Sequence, residues 1–85
     1  MATGNMTPSQ NYQVANPNGL PCFCEMVTPG VARIFVGPAD PGSTNGTYHQ
    51  IAYPAGFFSY AGTEKVWIRN DADSGFIKLV VTEVS

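Results

Sequence analysis

The sequence predicts an all-β protein: a small antiparallel β-sandwich or barrel of about six to seven strands with an extended N-terminal arm. Short segments alternate apolar and polar side chains with a period of two, the pattern of a strand that buries one face. Clusters of Gly, Pro and Asn separate these segments and mark chain reversals. No stretch of ten residues carries helical periodicity. Many short strands between frequent turns favour a sandwich or barrel.

Residues 1–19 read as the arm. They are rich in Asn, Gln, Thr, Pro and Gly, contain no charged residue, and hold only Tyr12 and Val14 as an alternating pair. This composition suits an arm that orders on assembly, in preference to a simply disordered terminus. Asn16-Pro17-Asn18-Gly19 is strong turn chemistry, since Pro17 fixes φ and Asn-Gly tolerates positive φ. The body is expected over 20–85. In 20–27, Leu20, Cys22, Cys24 and Met26 share one face and Phe23, Glu25 and Val27 the other. Pro21 confines itself to the strand's beginning or an edge. After Thr28-Pro29-Gly30, the β-branched segment 31–36 sets Ala32, Ile34 and Val36 against Val31, Arg33 and Phe35.

Three glycines and two prolines in 37–47 forbid a regular element, which makes it the longest loop of the body. Alternation resumes over 48–53 and stops at Pro54-Ala55-Gly56; 57–60 is a short aromatic strand. Ala61-Gly62-Thr63 turns the chain into 65–69, where Val66 and Ile68 oppose Trp67. Residues 70–75 read as a hairpin turn that returns the last strand, 76–84, against 65–69. In that strand the apolar set Ile77, Leu79 and Val81 is expected inside, with Phe76, Lys78, Val80 and Thr82 on the other face.

Composition points towards assembly. Only 12% of the residues are charged while 44% are hydrophobic, whereas ordinary globular chains carry about 25% charged residues. A domain this small removes only about 60–65% of its unfolded surface from water, so part of the apolar excess is expected to meet another protein. A net charge of −2 with four basic residues supplies no field for phosphate, and nucleic acid is not an expected partner. No apolar run approaches the ~20 residues of a membrane helix, and no membrane partner is expected. Met1 to Met6 has neither a basic nor an apolar signal region, which predicts a soluble protein made in the cytoplasm.

Candidate chemistry resolves into structural explanations. Cys22-Phe23-Cys24 with His49 offers three soft ligands, but C-x-C lacks the usual knuckle spacing and no fourth ligand accompanies it. The two cysteines, about 6.5 Å apart at Cα in a strand, are at the upper limit for a bridge, and they read as free, buried thiols. His49 would need Asp40 or Asp71 and Ser43 or Ser59 in register to act as a catalytic base, and nothing in the spacing indicates it. Asp71-Ala72-Asp73-Ser74-Gly75 lacks the third ligand and distal Glu of a calcium loop. Asn5-Met6-Thr7 and Asn45-Gly46-Thr47 match glycosylation acceptors that mean little without a signal peptide. No catalytic residue, metal ligand or cofactor is expected.

The last thirty residues carry a resemblance. Ala55-Gly56-Phe57-Phe58-Ser59-Tyr60, Lys65-Val66-Trp67-Ile68-Arg69 and Ile77-Lys78-Leu79-Val80-Val81-Thr82-Glu83 resemble the closing strands of small β-proteins of tailed bacteriophages, including capsid decoration, head-fibre and tail accessory proteins. The resemblance implies a non-enzymatic virion protein, located on the capsid surface and synthesised in the host cytoplasm. It would bind the major capsid protein or another virion protein, as a homo-oligomer and specifically a trimer. The expected partner-binding residues are Tyr12, Val14, Phe57, Phe58, Tyr60 and Trp67, because at least one of Phe57 and Phe58 must face outwards on a charge-poor surface. A carbohydrate-binding β-module of a phage tail or fibre, with Trp67 or Tyr60 as stacking platform, is the alternative.

Overall fold

The alternation read in the sequence is realised as eight strands. In the computed structural model, which describes residues 2–84, they are β1 (Ala2–Met6), β2 (Gln13–Val14), β3 (Cys22–Met26), β4 (Val31–Gly37), β5 (His49–Ala52), β6 (Phe57–Tyr60), β7 (Lys65–Asn70) and β8 (Leu79–Glu83). Met1 and Ser85, the outer bounds of the expected arm and body, lie outside the described residues. All pairings are antiparallel, in two four-stranded sheets of order β1-β8-β3-β6 and β2-β7-β4-β5. Among the described residues only β4 and β5 form a hairpin within one sheet; every other connection crosses from sheet to sheet, and the order is that of a jelly-roll sandwich.

The interior follows from the period of two. Cys22, Cys24 and Met26 of β3 and Leu79 and Val81 of β8 face Ala32 and Ile34 of β4 and Val66 and Ile68 of β7, with Ile77 closing one end. Met6, Val36, Ile51, Phe58 and Tyr60 pack around this set. Two glycines are required by their surroundings. Gly30 has φ +142°, and a Cβ there would lie 2.8 Å from Ile77 Cγ2. At Gly56 a Cβ would lie 2.8 Å from the Ala52 carbonyl oxygen and 2.9 Å from Met26 Sδ.

The strand count is eight, against the six to seven expected, because residues 2–14 contribute two strands. The segment read as a separate arm is built into both sheets: β1 borders β8, and β2 borders β7. Between them Ser9 and Pro8 carbonyls accept from the Asn70 and Ile77 amides at 2.7 and 3.3 Å. Edge strands need only one neighbour, so Thr, Asn and Gln suffice to form them and leave no alternating apolar pattern. A second correction concerns residues 70–75. They carry the chain from β7 across to the other sheet, where β8 lies between β1 and β3 instead of pairing with β7. Turn residues mark a reversal but do not distinguish a hairpin from a corner between sheets. The predicted faces of β8 are as expected, with Ile77, Leu79 and Val81 buried and Phe76 and Lys78 exposed.

Candidate interaction surface

The outer faces of the two sheets differ in kind. On the β2-β7-β4-β5 sheet the register aligns Arg69 with Arg33 and Gln50, and Val14 with Trp67 and Phe35. The 38–48 loop closes over this face. Arg69 donates from Nη1 to the Ser43 carbonyl at 2.6 Å and from Nε to the Asn70 carbonyl at 2.9 Å. The Trp67 indole N–H donates to the Gly37 carbonyl at 3.0 Å, and the Tyr48 ring lies 4.4 Å from the Arg33 guanidinium carbon. Arg33 pairs with Asp71 at 2.5 Å, and Asp71 also accepts from Gln50 at 3.2 Å. These bonds, Arg33's foremost, hold the Asp71 carboxyl below its ordinary pKa. Tyr12 is only 5% exposed, and burial pushes its phenol up from its ordinary pKa.

The opposite sheet is open. Its outer face is ruled by the register into two rows, Thr3, Thr82, Phe23, Ser59 and Asn5, Val80, Glu25, Phe57. Phe23 and Phe57 stack diagonally with ring centroids 5.9 Å apart and planes inclined by 27°. They are 42% and 60% exposed, and Glu25 is the one charge in the two rows. Two adjacent aromatic rings left in water on a nearly uncharged sheet are the arrangement expected of a contact surface.

The six residues expected to meet a partner are thus distributed unequally. Phe57 lies on the open face. Phe58 and Tyr60 turn inwards and pack against the core, and the Tyr60 hydroxyl accepts from the Glu64 amide at 3.3 Å. Tyr12 is buried, while Val14 and Trp67 are half-buried on the face crossed by the loop. The open face gains Phe23, whose position opposite Cys22 and Cys24 was already set by the alternation of β3. Phe76, at 71% exposure, stands apart on the connection between β7 and β8.

Polar side chains do structural work at the sheet ends. Asn16 is fully buried: its amide donates to the Leu20 and Glu64 carbonyls at 2.8 and 3.0 Å and its oxygen accepts from the Val66 amide at 2.7 Å. Glu83 accepts from the Asn18 amide, the Asn18 side chain and the Leu20 amide. Together they fasten the 16–20 turn to both sheets. Turn vocabulary located that turn, but not the buried role of Asn16. Cys22 and Cys24 are free and buried, and the contact with Cys22 together with burial pushes the Cys24 thiol well up. His49 is exposed at the start of β5. Among the described residues no three His, Cys, Asp or Glu side chains gather as a metal site, and no helix is long and apolar enough to cross a membrane.

Neither protein-family models, nor the curated proteins, nor the solved structures contain a match to this chain.

Proposed function

We propose that the chain is a non-enzymatic structural protein of a tailed-phage particle, a capsid decoration protein that binds and stabilises neighbouring capsid subunits as a homotrimer. The observation that carries this reading is the open outer face of the β1-β8-β3-β6 sheet, with its stacked Phe23 and Phe57 and Glu25 as the one charge in its two rows. Fully burying an aromatic ring is worth about 1.5–3 kcal/mol, so covering this half-exposed pair contributes to association. The jelly-roll order supports the reading without deciding it, since viral capsid and lectin domains both use it. The carbohydrate alternative draws no support from the platforms expected for it. Trp67 is half-buried and bonded to the Gly37 carbonyl of β4, and Tyr60 is turned inwards.

The test is to identify the genes beside this one and, with the major capsid protein they are expected to include, to measure co-sedimentation with particles assembled from it. The wild type should pellet with them, and the Phe23→Ser/Phe57→Ser variant should remain in the supernatant while still folded. A wild type that stays in the supernatant overturns the capsid reading, and a positive glycan array in that case supports the carbohydrate module.

A further inference from the structure

The charges within the strands are distributed in reverse of the usual order. Glu25, Arg33, Lys65, Arg69 and Glu83 all lie on β3, β4, β7 and β8, the inner strands of the two sheets. The edge strands β1, β2, β5 and β6 contain no Lys, Arg, Asp, Glu or Pro. Sheet proteins ordinarily protect their edges with such residues, because an edge presents a row of unpaired N–H and C=O groups that recruits another strand. Here both edges of the open sheet, β1 and β6, are left without that protection.

We infer that β6 of one copy pairs with β1 of the next, extending the β1-β8-β3-β6 sheet from subunit to subunit. This deepens the homo-oligomeric part of the proposed function and rests on it. Direction fits, since three successive antiparallel pairings leave β1 antiparallel to β6. Length fits, since β6 has four residues and β1 five. The other sheet lacks this match, because its edge strand β2 has only two residues.

Register fits as well. Within one copy Thr3 and Ser59 end one row of the sheet, and Asn5 and Phe57 end the next. Setting Ser59 opposite the next copy's Thr3, and Phe57 opposite its Asn5, continues both rows without stagger and keeps inward side chains inward. Phe58 then faces Gly4, where a Cβ would have nothing within 4 Å, so the ring covers a glycine that leaves room for it.

The size of the contact favours head-to-tail pairing over a two-fold one. An edge five residues long, about 17 Å, by the 16 Å thickness of the molecule offers about 300 Å². That is well short of the ~800 Å² per partner of a stable pair. A two-fold β6 to β6 contact would therefore be weak and would leave β1 bare. Head-to-tail pairing uses both edges of a copy, about 600 Å² in all.

The experiment is oxidative cross-linking of the Thr3→Cys/Ser59→Cys variant, read on non-reducing gels beside light scattering of the wild type. Within one copy these positions are three strand spacings apart, about 14 Å, beyond the reach of a disulfide. Between copies they face each other directly. The double variant should form covalent multimers, and neither single variant should. A dimer from Ser59→Cys alone would reveal a β6 to β6 contact and overturn the head-to-tail arrangement. Ser59→Lys, at an exposed position, should leave a folded monomer. A wild type that oligomerises, combined with no cross-link and no effect of Ser59→Lys, overturns the edge pairing and leaves the decoration reading intact. A wild type that is a stable monomer overturns both.

Discussion

Arg33 on β4 and Arg69 on β7 stand directly opposite each other across the sheet, although like charges in that position repel. Each has its own compensation. Asp71 and the Tyr48 ring take Arg33, and the Ser43 and Asn70 carbonyls take Arg69. The two partners Tyr48 and Ser43 come from the long loop, so the pair of cations fixes the loop over the sheet and the loop, in turn, makes the pair tolerable.

Acid should loosen this arrangement. The Asp71 carboxyl is held below its ordinary pKa, chiefly by its bond from Arg33, so the stability it lends is complete above its unfolded pKa of about 3.9 and is lost as pH falls through the folded value. Asp71→Asn should lower the thermal midpoint at pH 7 and reduce the further fall between pH 5 and pH 2. Equal acid sensitivity in the two proteins would assign that loss to other carboxylates.

The N-terminal segment should prove indispensable. Removing Asn16 leaves the Val66 amide and the Leu20 and Glu64 carbonyls without their partner, and each unsatisfied buried group costs about 1–3 kcal/mol. Asn16→Ala is expected to lower the urea midpoint markedly. Deleting residues 1–16 should abolish the cooperative transition altogether, because β1 and β2 are lost with it. A truncated chain with a sharp transition and native circular dichroism would return the segment to the status of an accessory arm.

The two faces of β8 should respond differently to truncation. Leu79 is fully buried, and Leu79→Ala should cost about 2–5 kcal/mol through lost burial and the remaining cavity. Lys78, exposed, should tolerate Ala within about 0.5 kcal/mol. Denaturation midpoints that fall together would place both residues in one environment.

A glycine pair tests packing at the turn before β6. Gly56→Ala forces a methyl against the Ala52 carbonyl and Met26 and should destabilise by about 1–3 kcal/mol. Gly46→Ala, in open space without positive φ, should leave the midpoint nearly unchanged.

Much of this architecture was legible because burial writes itself into alternation. The faces of β3 and β8 and the inward turn of Val66 and Ile68 follow from period two alone, and Phe23 fell on the outer side for the same reason. The N-terminal strands were not legible: Thr3, Gly4 and Asn5 bury little, and an edge strand can form without an apolar stripe. Nor was the partner of β8, because Asn70 and Gly75 mark a turn without saying which sheet receives the chain. The exposure of the aromatics depended on tertiary context. Trp67 does point outwards, as its parity requires, but the bond from its indole N–H to the Gly37 carbonyl joins residues thirty apart in the chain, which no local periodicity announces.

The buried pair Cys22 and Cys24 gives the molecule an internal clock. Both thiols point from β3 into the core between the sheets, so a reagent in solution reaches them only when the sandwich opens. Their rate of modification by a large disulfide reagent under native conditions therefore counts opening events of the sandwich itself. Oligomerisation through β6 would slow that clock in proportion to the fraction of copies assembled, which turns two chemically quiet residues into a reporter of assembly without any label.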